Sequence, residues 1–109
     1  MLQNKTDKIK VSISSGSLFE ICQTIMDYID NSNVITGSTF KIYYLCKEVQ
    51  FMCVHVKDLL DIVEKHRIKD PLILNRIHSL ILKILDNIME CKKLSHCITY
   101  INMEQVLVF

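Results

Sequence analysis

Five cysteines and four histidines are the side chains with the most chemistry to offer in this chain. Two groupings have the character of metal ligands: Cys53 with His55, and Cys91 with His96 and Cys97. Structural zinc usually takes four ligands in two close pairs at characteristic spacing. Cys22, Cys46, Cys53, Cys91 and Cys97 contain no C-x-x-C pair. In a strand, Cys53 and His55 would share one face. The simpler reading makes Cys53 a core residue and His55 the start of a helix. No metal site and no cofactor is expected. An odd set of cysteines in a chain without a visible signal peptide reads as reduced, mostly buried small hydrophobes.

Nucleophilic chemistry is equally thin. Ser14-Ser15-Gly16-Ser17 lacks the strand–elbow context of a G-x-S-x-G serine and reads as a turn leading into a helix cap. Phosphate-cradling loops need several glycines, and only Gly16 and Gly37 are present. His66 reads as a helix-end histidine, favoured there by the helix dipole, and His78 as a partly exposed one. The four tyrosines and four phenylalanines do not interleave with Lys or Arg, so they point to packing and not to a base-stacking platform. No catalytic residue is expected.

Composition bounds the rest. Half the 109 residues are hydrophobic and 23% are charged, the balance of a globular chain of single-domain length. The formal net charge is +1 with acids and bases interspersed, so the basic stripe that phosphate-backbone binding requires is missing. The bias towards Ile, Lys, Leu and Asn, with no Ala, suggests an AT-rich genome such as that of a large DNA virus or a parasite. The most apolar stretch, Ile77 to Met89, is too short and too interrupted to span a bilayer. Met1 to Lys5 shows no apolar signal region, so a cytoplasmic location is expected and the sequon Asn4-Lys5-Thr6 is expected to be inert.

The elements that would position these residues read as mixed. Ile9, Val11 and Ile13 alternate within Lys8–Ser14, which predicts a half-buried strand. Ser17 and Glu20 form a capping-box pattern ahead of a helix from Leu18 to about Asp30, closed by Asn31, Ser32 and Asn33. Thr36, Gly37 and Ser38 read as a turn. Phe40–Cys46 and Val49–Val56 are rich in β-branched and aromatic residues, with Lys47-Glu48 as the tight turn of a hairpin between them. Both faces of each strand are apolar, which predicts a sheet covered on both sides. Val56 to about Ile68 reads as a helix, Asp70-Pro71 as a break, and Leu72–Leu74 as a short strand or the first turn of the next element. A long helix follows from about Arg76 to Cys91. Cys97–Ile101 predicts a strand and Asn102–Phe109 a final helix.

From Phe40 onward this order of elements resembles a BTB/POZ domain, in particular those of poxvirus kelch-like proteins. Phe40 to His55 is similar to the opening hairpin, Lys69 to Asn75 to the third strand, Ser79 to Glu90 to the following helix, and Ile98 to Leu107 to the next strand and helix. The resemblance implies dimerisation and, for many members, recruitment of a cullin-type ubiquitin-ligase scaffold. The hydrophobic-x-Glu triplet of that contact would fall on Ile88, Met89 and Glu90. A second resemblance, to the start of the Bro-N domain, is carried by Thr39 to Leu60 and by Ile98 to Asn102, and implies DNA binding.

The expectation is therefore a single α+β domain over residues 1–109: a small mixed sheet, made of a hairpin plus short strands, packed with amphipathic helices. Residues 1–39 form a strand–helix segment and 40–109 a BTB-like segment, read as a truncated copy of the family's domain. The expected function is protein–protein interaction with self-association, as a ubiquitin-ligase adaptor or modulator of viral origin in the host-cell cytoplasm. Leu18, Phe19, Ile25 and Met26, with Val106 to Phe109, are the expected self-association residues, because these apolar runs exceed what a small core covers. The alternatives are a Bro-N-like DNA-binding module and a non-functional gene fragment.

Overall fold

The computed structural model describes residues 2–32 and 36–95 and is all-helical over them. Four helices follow one another: α1 (Leu2–Ser15), α2 (Ser17–Asn31), α3 (Gly37–His66) and α4 (Pro71–Ser95). α3 is the centre of the bundle. It packs most extensively on α4 and α2, and α1 lies against all three other helices.

The α+β expectation is thus corrected: among the described residues there is no strand and no sheet. The predicted hairpin is one continuous 30-residue helix, and the predicted turn at Lys47-Glu48 lies inside it. The physical reason is visible in the spacing. Ile42, Leu45, Cys46, Val49, Met52, Cys53 and Val56 recur at alternating intervals of three, one and three, and all are buried. That is the stripe of a helix facing a core. β-branched and aromatic content favours strands only as a context-dependent tendency. The opposite, exposed side of the helix also carries large apolar residues (Phe40, Tyr44, Phe51 and Val54), so apolar residues fall all round it, which imitates a sheet covered on both sides.

The predicted strand Lys8–Ser14 belongs to α1. Ile9 and Ile13 are buried but Val11 is 69% exposed. Positions four apart share a face in a helix and in a strand alike. The residue between them distinguishes the two, and Val11 points outward. Thr6, one turn before Ile9, is buried with them.

Local signals set the ends. Gly16, at φ +83°, separates α1 from α2 in the left-handed region that glycine tolerates best. It is the N-cap of α2, with no side-chain cap bond, so the expected Ser17–Glu20 capping box does not form and Ser17 is the first helical residue. The predicted extent of α2 otherwise agrees with the structure to within a residue at each end.

α3 opens on a reciprocal cap. Thr39 N–H donates to Thr36 Oγ1 (3.2 Å), and Thr36 N–H donates to Thr39 Oγ1 (2.8 Å). Threonine takes the role that Glu or Gln has in the usual capping box. The helix closes on Arg67 at φ 49°, with Arg67 N–H donating to Glu64 O (3.4 Å) and Ile68 N–H to Val63 O (3.0 Å). This is the Schellman arrangement.

Asp70-Pro71 does separate two elements, as the cap of α4. Asp70 Oδ1 accepts from Leu72 N–H (2.9 Å), and Pro71 takes the first helical position, where its missing N–H costs nothing. Leu72–Leu74 is therefore the first turn of α4. The short connection reverses the chain, bringing Lys41 near the start of α3 beside Glu90 near the end of α4 (3.6 Å). The predicted strand Cys97–Ile101 and helix Asn102–Phe109 lie outside the described residues.

Candidate protein-docking face

α3 has two stripes. One carries the core residues above. The other runs Phe40, Tyr44, Lys47, Phe51, Val54, Asp58, Ile62, Lys65 at intervals of four and three, and every one of these residues is exposed. At about 100° per residue this spacing keeps them on a single side of the helix. Five of the eight are large apolar groups: Phe51 is 75% exposed, Phe40 67% and Tyr44 61%, with Val54 and Ile62 about half exposed. Single exposed apolar side chains are ordinary. A row of this length, interrupted only by Lys47 and Asp58 before Lys65, is a candidate contact surface.

α2 supplies the wall beside this row. Phe19 stands at the surface against Phe51 and Val54, and the three line a groove of about 390 Å³ together with Lys47, Gln50, His55 and Asp58. A further hollow of about 250 Å³ shares Phe19 and Val54 and runs on past Gly16, Glu20 and Lys57. Gln50 forms the base. It is buried, and its Nε2 donates to Phe19 O (3.1 Å) and Gln23 Oε1 (3.1 Å), which ties α3 to α2 below the groove. The result is a shallow apolar trough with a lysine towards one end and an aspartate towards the other. No nucleophile is paired with a base along it.

Three cysteines sit away from the groove, while Cys53 lines the smaller hollow. Cys22 on α2, Cys46 on α3 and Cys91 on α4 are buried where the three helices approach one another. Hydrogen-bonding contact with the Cys22 and Cys91 thiols, followed by burial, pushes the Cys46 thiol far above its ordinary range. Burial, helped by Cys22, pushes the Cys53 thiol up to about 12. Thiols held this firmly protonated are poor nucleophiles and serve as small packing groups. Among the described residues no group of three or more His, Cys, Asp or Glu side chains is arranged to hold a metal ion. Cys53 and His55 do not share a face, because a helix sets neighbours two apart on different sides; Cys53 is buried and His55 exposed. His96 and Cys97 lie outside the described residues, while His66, in the last turn of α3, and His78 are exposed.

The sequence-derived interaction residues are scattered by the fold. Leu18, Ile25 and Met26 belong to the core of this chain, and only Phe19 of that group reaches the surface. Val106 and Phe109 lie outside the described residues. Ile88 is 2% exposed and cannot touch a partner in the folded chain, while Met89 is at the surface and Glu90 pairs with Lys41. A half-exposed ion pair of that kind contributes little to stability. Phe51, Val54, Lys47 and Asp58 escaped sequence reasoning, because the segment was read as two strands. Their spacing of four, three and four is the signal that identifies them once the segment is helical.

No helix among the described residues is long and apolar enough to cross a membrane. Neither a family model, a curated protein nor a solved structure matches the chain.

Proposed function

We propose that this chain is a protein–protein interaction module that works through the α2–α3 face. The observation that carries the reading is the exposed row Phe40, Tyr44, Phe51, Val54 and Ile62, joined by Phe19 at the groove. The trough suits the apolar face of a partner helix, a common mode of recognition in which residues three and four apart anchor the contact. Aromatic anchors such as Phe51 lose little rotamer freedom on burial and dominate interface energies.

Charge favours a protein partner over nucleic acid. Lys47, Lys57 and Lys65 on α3 are interspersed with Glu48, Asp58, Asp61 and Glu64, so no basic stripe forms along the helix. The fold offers no support for a ubiquitin-ligase adaptor role. That role depended on an α+β scaffold and on Ile88 as a contact, and Ile88 is in the core.

The test is a photo-cross-linking side chain (benzophenone) placed at position 51 of the full chain in expressing cells, with position 93 on α4 as the control. Lys93 is exposed and is not among the residues that line the groove. Protein adducts from position 51 and none from position 93 are expected. An absence of protein adducts at position 51, repeated at 54, would overturn the reading.

A further inference from the structure

We propose that the partner on this face is a second copy of the chain, packed α3 against α3 in antiparallel sense about a twofold axis between Phe51 and Val54. The inference rests on the protein-docking reading above and names its partner.

The outward stripe of α3 is complementary to itself when reversed. A twofold axis midway between Phe51 and Val54 sets Phe51 of one copy against Val54 of the other, and the same operation sets Lys47 against Asp58. Each pair occurs twice, as an isologous interface requires. One turn beyond Lys47, Tyr44 meets Asp61, which flanks the stripe beside Ile62 and whose carboxylate accepts from the phenol O–H, and a turn beyond that Phe40 meets the ammonium of Lys65. No like charges along the stripe fall opposite each other in this register. A parallel pairing would set Lys47 on Lys47 and Asp58 on Asp58, and like charges directly opposite disfavour association. The stripe from Phe40 to Lys65 spans about 37 Å at the usual helical rise, so the contact is long enough for five apolar side chains of each copy to share it.

Phe19 adds to the same contact. It borders the groove beside Phe51 and Val54, so the second copy's apolar row meets α2 as well as α3. Gln50 holds that wall in place from below through its bond to Phe19 O.

A charge swap tests this arrangement on the full-length chain. Lys47 and Asp58 are exposed, so neither Lys47→Asp nor Asp58→Lys should disturb the bundle, and circular dichroism verifies that. Sedimentation velocity and light scattering then read the mass. The wild type is expected to be a dimer. Each single variant is expected to dissociate at least tenfold more readily, because both of its twofold-related pairs become repulsive. An equimolar mixture of the two variants is expected to recover the dimer. In the mixed pair one copy carries an acid at both positions and the other a base at both, so each contact again joins opposite charges. A merely structural role for either residue would give no recovery on mixing.

A monomeric wild type overturns the inference, as does a dimer unaffected by either swap. The cross-linking at position 51 separates the two readings. An adduct to a different protein alongside a monomeric chain removes self-pairing and leaves the docking face standing. Adducts only to residues 96–109 of the same chain remove both.

Discussion

A proline at position 48 decides between the two readings of the segment 40–56 that sequence patterns permit. Glu48 lies in the interior of α3, flanked on the core side by Cys46, Val49 and Gln50, all buried. Proline there has no N–H to donate to the carbonyl of Tyr44, and its ring collides with that carbonyl, which costs about 3 kcal/mol or more in a helix interior. α3 cannot absorb the kink quietly, because α1, α2 and α4 all pack on it. Against a total stability of roughly 5–15 kcal/mol this is a large fraction. For a chain of this length it corresponds to a fall in Tm of about 12 °C or more.

The matched control is Gly37→Pro. Gly37 is the first residue of α3, its N–H is one of the orphan donors, and the preceding Thr36 is extended (ψ 170°), as a residue before proline prefers. A Cβ at Gly37 meets nothing within 4 Å. That substitution is expected to be neutral or to stabilise by about 0.4–1 kcal/mol through the unfolded chain. Thermal melts followed by far-ultraviolet circular dichroism read both. If Lys47-Glu48 were instead a hairpin turn, the residue at 48 would donate no ladder hydrogen bond, and proline there would strain the turn alone. An unchanged melting curve for Glu48→Pro, or a wild-type spectrum dominated by β-structure, would refute the continuous helix.

Two further outcomes follow from burial. Ile81→Ala, in a side chain that is fully buried on α4, is expected to cost about 2–5 kcal/mol in urea unfolding; a loss below ~1 kcal/mol would mean that α4 does not pack as described. Alkaline pH should destabilise the fold through Cys53, whose thiol is raised from 9.0 to about 12 by burial first and Cys22 second. The native chain keeps this proton while the unfolded chain releases it, so the contribution is complete below pH 9 and is lost as the pH rises towards 12. The slope is at most about 1.4 kcal/mol per pH unit for one thiol. Unfolding free energies between about pH 8 and 10.5 should fall less steeply in Cys53→Ala than in wild type, and parallel slopes would count against a protonated buried thiol.

Much of the secondary structure was legible locally. α2 announces itself through Leu18, Cys22, Ile25, Met26 and Ile29, which recur at helical spacing and are all buried. The later halves of α3 and α4 are equally clear. The first half of α3 was misread because Phe40, Tyr43, Tyr44 and Val49 have high β-propensity, and because apolar residues fall on every side. The heptad through Ile42, Val49 and Val56 was in the sequence, but composition masked it.

Of the exposed apolar face, only Phe19 was legible in the sequence. Leu18 and Phe19 are adjacent and similar in hydrophobicity, yet Leu18 is fully buried and Phe19 borders the groove. A helical turn separates neighbours by about 100°, and which side faces inward depends on where the other helices lie. The sequence by itself determined an amphipathic, near-neutral chain with buried thiols, because hydrophobicity, charge and capping act over a few residues. Only the tertiary structure decided that α3 is central, with three neighbours on its inner faces and an apolar row left outside. That outcome belongs to the packing of whole helices, and no single window of residues contains it.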